Sequence, residues 1–202
     1  MLKTLSNRTY NLLIGVMLLY GFIVNFVTVK LFTNTFKTWN PSLVLIGYFL
    51  IAVSGIVVHR CSKKPLTSFI GYNLIVLPIS PALSLVLRTT QTDTLIRTII
   101  TTAAVTLAMI IIATIKPQLF SSLCTTLLTI LLLVITVEVV LLLFGVAIPK
   151  WWDILMAFLF CVYVGFDWSL AQQREHTVKN AMDAVINLYL DIINIFVRLI
   201  KE

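Results

Sequence analysis

The amino-acid sequence predicts an all-α, polytopic membrane protein with seven transmembrane helices, and three observations carry that prediction. The 202 residues are 59% hydrophobic and only 11% charged, whereas a soluble domain carries about a quarter of its residues as charge. The mean hydropathy is +1.03. The apolar residues fall in long unbroken runs, such as residues 123–146, without the alternation that a spanning strand requires. A helix crosses the ~30 Å hydrocarbon layer with about 20 apolar residues and satisfies its own backbone there.

Seven apolar segments follow in order. The first covers about residues 10–32. Lys3 and Arg8 precede it in the manner of a signal peptide. The apolar run is too long for a signal core, however, and no small-residue cleavage site follows, so it reads as a spanning helix. The second segment covers 41–59 and leads through a basic loop, 60–64, to the third at 65–87. The remaining four cover 95–115, 119–147, 151–172 and 181–200. Asn40-Pro41, Lys64-Pro65, Lys116-Pro117 and Ile148-Pro149 punctuate the segments. The residue before a proline is pushed out of the helical region, and proline suits a first helical position. Trp39, Trp151 and Trp152 fall where an aromatic belt meets the headgroups. Pro78 and Pro81 lie inside the third segment and predict a kink or break there. No linker, repeat or low-complexity stretch divides the chain, which reads as a single transmembrane domain over residues 1–202.

The net charge of +7 would raise nucleic acid as a partner in a soluble protein. Here the basic residues sit mostly at the ends of apolar runs, where they anchor helices beside lipid phosphates. The expected partner is therefore the lipid bilayer, not nucleic acid. Lysines and arginines divide almost evenly between the two sides, but the densest loop cluster, 60–64, favours a cytoplasmic N-terminus. Of the cysteines Cys61, Cys124 and Cys161, the last two fall within apolar runs, with neither a disulfide framework nor metal-ligand spacing. There is no phosphate loop, no histidine pair on one helix face and no nucleophile elbow. His59 and His176 read as interfacial residues. No enzyme and no cofactor are expected.

Ionisable residues inside the spans are the informative ones, because each costs at least ~2.5–3.5 kcal/mol near the bilayer centre. Asp167 lies late in the sixth segment and Asp191 midway along the seventh, both with apolar flanks. A hairpin bent near residue 179 places them at similar depth on adjacent antiparallel helices. Two carboxyls side by side in a low dielectric do not both ionise easily. Such a pair holds a shared proton at moderate pH and loses it as pH rises, which makes it a pH sensor or a proton or cation site. The competing reading places Asp167 at the membrane surface with Arg174 as partner, and makes Asp191 a helix-to-helix hydrogen-bonding group. Arg60, at the end of the second segment, either reaches inward to neutralise the pair or anchors at the surface with Lys63 and Lys64. Glu138 is the most deeply placed acid. It is protonated and hydrogen-bonded, lines a cavity, or meets Lys30 or Arg97. Asp153 and Asp183 read as first-turn acids favoured by the helix dipole.

The stretch Leu188-Tyr189-Leu190-Asp191-Ile192-Ile193-Asn194-Ile195-Phe196 resembles the tyrosine–leucine–aspartate–hydrophobic–isoleucine–asparagine signature of the Bax inhibitor motif family, the transmembrane Bax-inhibitor-motif proteins. Phe166-Asp167 is similar to that family's tyrosine–aspartate near the end of its sixth helix. The basic turn followed by Gly71-Tyr72 and Pro78 resembles its second-to-third helix region, and the resemblance covers nearly the whole chain. It implies a seven-helix protein whose last helix is central, surrounded by the other six. It further implies a pH-sensitive calcium leak like that of bacterial members. In that reading Asp167 and Asp191 are the proton-sharing pair, transiently ligating calcium, and Arg60 is the closed-state counter-charge. Tyr189 and Asn194 are the supporting motif residues. The chain departs from the family in carrying Phe166 in place of tyrosine, in the bulk of Trp168, and in Glu138.

Four functions follow as expectations. The first is a pH-gated calcium leak channel, with calcium and protons as permeant or regulatory ions. The second is an intramembrane aspartyl protease, which needs glycines around its second aspartate where this chain has Tyr189-Leu190-Asp191-Ile192. The third is a non-conducting regulatory membrane protein in which the aspartates serve packing. The fourth is a proton-coupled transporter. The first is preferred, in a bacterial plasma membrane.

Overall fold

The computed structural model describes residues 4–36, 38–61, 64–146 and 148–201. Lys3, Lys63, the predicted segment end at Ala147 and the side chain of Cys124 lie outside the described residues. Eight helices run through the rest: α1 (Asn7–Phe36), α2 (Pro41–Cys61), α3 (Pro65–Leu87), α4 (Thr92–Ile115), α5 (Gln118–Ser121), α6 (Cys124–Leu143), α7 (Lys150–Gln173) and α8 (Val178–Leu199). Of these, α1, α2, α3, α4 and α7 are each long and apolar enough to cross a membrane, so this is an integral membrane protein. The fifth predicted segment divides into the short α5 and the 20-residue, largely apolar α6. Helix α8 is not among these five, and it carries Lys179, Asp183, Asp191 and Arg198.

Local chemistry sets the boundaries. Asn40 caps α2, its Oδ1 accepting from the Ser42 amide at 2.9 Å, with Pro41 as first helical residue. Thr177 caps α8 through the Asn180 amide at 3.2 Å. Helix α6 ends at Gly145, whose φ of +66° suits only a residue without Cβ strain. The Val146 amide closes the turn on the Leu141 carbonyl at 2.9 Å. Helix α3 continues through Pro78 and Pro81 instead of breaking.

The helices group into two compact units. The first comprises Met1–Gln91 and Arg174–Tyr189, so it holds α1, α2, α3 and the first half of α8. Here α2 and α3 approach closely at Gly55 and Gly71. A Cβ on Gly71 would lie 2.6 Å from the Gly55 carbonyl oxygen and 2.8 Å from the His59 Cβ. Small residues that let backbones meet are the usual helix-packing device in lipid, where burial of apolar surface gives little drive. Tyr72 and Ile75 are fully buried in this unit, while Phe49 and Leu66 of the same helices are 65% and 70% exposed. That outward apolar surface is what a lipid-facing wall requires.

The second unit comprises Thr92–Gln173 and Leu190–Glu202. Helix α7 packs on α4 and on the short α5. Phe120 of α5 lies over Gly165, so closely that a Cβ there would overlap its ring. Trp168 donates from Nε1 to Thr114 Oγ1 at 2.8 Å, and Ser169 donates to the Pro117 carbonyl at 3.1 Å. These contacts fix the rotation of α7 next to Asp167.

Candidate functional site

Asp167 of α7 and Asp191 of α8 come together within the second unit. They are 9% and 6% exposed, and their carboxyls are hydrogen-bonded to each other. A carboxylate only accepts, so a hydrogen bond between two carboxyls needs a proton on one of them. Asp191 Oδ2 is buried without a partner. The site is therefore an enclosed pair of carboxyls in which one oxygen, Asp191 Oδ2, has no hydrogen-bond partner. The Cys161 thiol of α7 lies within electrostatic reach of Asp191. Asn194, one turn beyond, donates from Nδ2 to the Leu190 carbonyl of its own helix at 2.8 Å.

Tyr189 belongs to the first unit, where it is fully buried and donates to Asn25 Oδ1 of α1. Asn25 Nδ2 in turn donates to the Val76 carbonyl at 2.7 Å and Ser80 Oγ at 2.9 Å, both on α3. Tyr72 stands edge-on to Tyr189 with centroids 5.7 Å apart and donates to the Met17 carbonyl at 2.9 Å. Asn25 was the missing member of this hub in the sequence. A lone asparagine in an apolar span is the signal that could have marked it.

Arg60 is exposed at the end of α2 and makes no ion pair among the described residues. The neighbouring His59 is the residue that α2 turns inward, at 3% exposure. Its Nε2 meets Asp183 Oδ1 of α8, and Lys179 Nζ donates to the His59 carbonyl at 2.6 Å. Arg174 Nη1 lies 3.7 Å from the other Asp183 oxygen. Asp183 is thus the centre of a cluster in the second turn of α8, instead of a first-turn dipole acid. His59 is not a surface residue, and His176 stacks on Tyr10 at 4.3 Å.

Glu138 has a definite partner in the second unit. Arg198 of α8 approaches it at 2.7 Å, and Trp152 donates from Nε1 to Oε1 at 2.8 Å. The same guanidinium donates from Nη1 to Asp153 Oδ1 at 2.8 Å. Asp153 does stand in the first turn of α7, yet its side chain serves this network. Arg97 and Lys30 are exposed. Among the described residues no group of histidine, cysteine and acidic side chains is arranged to hold a metal ion.

The family model described as Inhibitor of apoptosis-promoting Bax1 matches residues 2–201 of the chain. No curated protein matches it.

Proposed function

The chain belongs to the Bax inhibitor family, and on that footing we propose that it is a pH-sensitive calcium leak channel gated by Asp167 and Asp191. The observation that carries this reading is the buried, hydrogen-bonded carboxyl pair with the unpartnered Asp191 Oδ2. At low pH the shared proton joins α7 to α8 and the path is closed. Loss of the proton leaves two carboxylates in a low dielectric, which repel and separate. Their oxygens then suit a hard cation such as calcium, which takes oxygen ligands. In this reading α8 crosses the membrane centrally as the seventh span, α5 does not cross, and Arg60 supplies counter-charge to the closed form. The setting is a bacterial plasma membrane. The protein has no enzymatic activity or cofactor, and protons and calcium are its regulatory or permeant ions.

The mutual hydrogen bond also favours a second reading, in which the aspartates only hold helices together in a non-conducting regulatory protein. Calcium flux into proteoliposomes over a pH series separates the two. The channel reading expects a leak that grows with pH in the wild type and is altered in Asp167→Asn and in Asp191→Asn. Equal flux from the wild type and the double variant overturns it.

A further inference from the structure

Asp191 and Arg198 lie seven residues apart on α8, two helical turns, so they project from one face. Asp191 meets α7 alone among the described contacts of its unit, whereas Arg198 meets two helices. Its Nη1 donates to Asp153 of α7 at 2.8 Å, and its Nη2 donates to Glu138 Oε2 of α6 at 3.0 Å. The side chains of Arg198, Glu138 and Asp153 are only 14%, 21% and 15% exposed. Lys201 completes the charge balance at 3.9 Å from Asp153.

A last-turn arginine is favoured by the helix dipole wherever it points. This one points at two carboxylates on two helices. One charge contact fixes a distance. Two contacts from separate helices through a planar, forked guanidinium fix both the height and the rotation of α8. Sliding α8 would strand two largely desolvated carboxylates, so the register is stiff. A carboxylate as deep as Glu138 is costly in an apolar helix, and this network is what offsets the cost.

We propose that Arg198 is a positioning residue for the aspartate pair: by tying α8 to Glu138 and Asp153 it sets how closely Asp191 meets Asp167. This rests on the aspartate pair being the working site of the proposed function. Among the described residues of its unit, the titratable groups that interact with Asp191 are Asp167 and Cys161, both of α7. The tether acts from two turns away through the helix.

The test is the pH dependence of Asp191 labelling by dicyclohexylcarbodiimide, which attacks protonated carboxyls in apolar surroundings, read by mass spectrometry on the full chain in liposomes. Releasing the tether lets the carboxyls separate, so the proton that the pair retains is surrendered more easily. Arg198→Met is expected to move the labelling midpoint to lower pH by about one unit, a tenfold change in proton affinity. Arg198→Lys keeps the charge and loses the fork, and Asp153→Asn removes one anchor. Both are expected to move the midpoint in the same direction by less, and both keep the test open if Arg198→Met does not fold. Midpoints unmoved in folded Arg198→Lys and Asp153→Asn overturn the proposal. So does a shift that appears only when the positive charge is removed, which marks direct electrostatics. The labelling is independent of flux: a protein that does not leak sinks the channel reading and leaves this result to be read by itself.

Discussion

Replacing Asn25 by leucine isolates the hydrogen bond that holds the first half of α8 in its unit. Asn25 has three polar contacts, and they are not equally costly to lose. The Val76 carbonyl keeps its place in the α3 ladder, and the Ser80 hydroxyl can turn back to a carbonyl of its own helix. Tyr189 has no such substitute, because its ring is fully buried. An orphaned buried hydroxyl costs about 1–3 kcal/mol, and side-chain hydrogen bonds in membrane proteins average about 0.6 kcal/mol with a ceiling near 1.7. Leucine recovers little, since the lipid reference is already apolar. Asn25→Leu is thus expected to cost about 2 kcal/mol, dominated by Tyr189. Tyr189→Phe alone leaves Asn25 Oδ1 unpaired and is expected to cost about 1 kcal/mol. The double variant orphans neither, so a coupling of about 1 kcal/mol is expected in a cycle measured by reversible unfolding in mixed micelles. Strict additivity refutes the reasoning, because it means that Tyr189 loses nothing specific when Asn25 goes.

Gly71→Ala places a methyl against the Gly55 carbonyl and the His59 backbone, neither of which is a side-chain end that can swing away. A loss of about 1–3 kcal/mol is expected on the same assay, whereas Gly15→Ala, with open space around it, should be neutral or gain up to about 1 kcal/mol. Gly165→Ala drives a methyl into the Phe120 ring, and truncating that ring by Phe120→Leu should recover part of the loss, a non-additivity visible in thermal melts. Thr177→Ala removes the cap of α8 and is expected to cost about 1 kcal/mol, with faster amide exchange confined to residues 178–181. Equal exchange at those amides would show that the cap does not hold the turn.

Much of the fold was legible in the sequence because helix ends in a membrane protein are marked chemically. Pro41 and Pro65 stand at the first helical positions expected of them, and the chain turns after Lys116. The division of the fifth segment into α5 and α6 was not legible, since residues 119–143 are apolar on both sides of the break at Ser122 and Leu123. Hairpin arithmetic did not by itself give the meeting of Asp167 and Asp191: it set the bend near residue 179, whereas α7 ends at Gln173 and α8 begins at Val178, so the two aspartates stand at unequal distances from the turn. The orientation of each side chain around its helix did not follow. Counting placed Arg60 and His59 side by side, and only the packed helices select His59 for the inside.

The sequence by itself determined that the chain is helical and membrane-embedded, where most helices begin, and which acids pay for their place in lipid. Only the tertiary structure decided who meets whom: Glu138 with Arg198, 60 positions away, His59 with Asp183, 124 away, and Tyr189 with Asn25, 164 away. The reason is physical. In water, the contrast between core and solvent prints an apolar stripe on each helix, and the stripe tells which face turns inward. In lipid the outside is as apolar as the inside, so helices such as α2 and α3 are apolar all round and the inward face is chosen by glycine contacts and hydrogen bonds between distant residues.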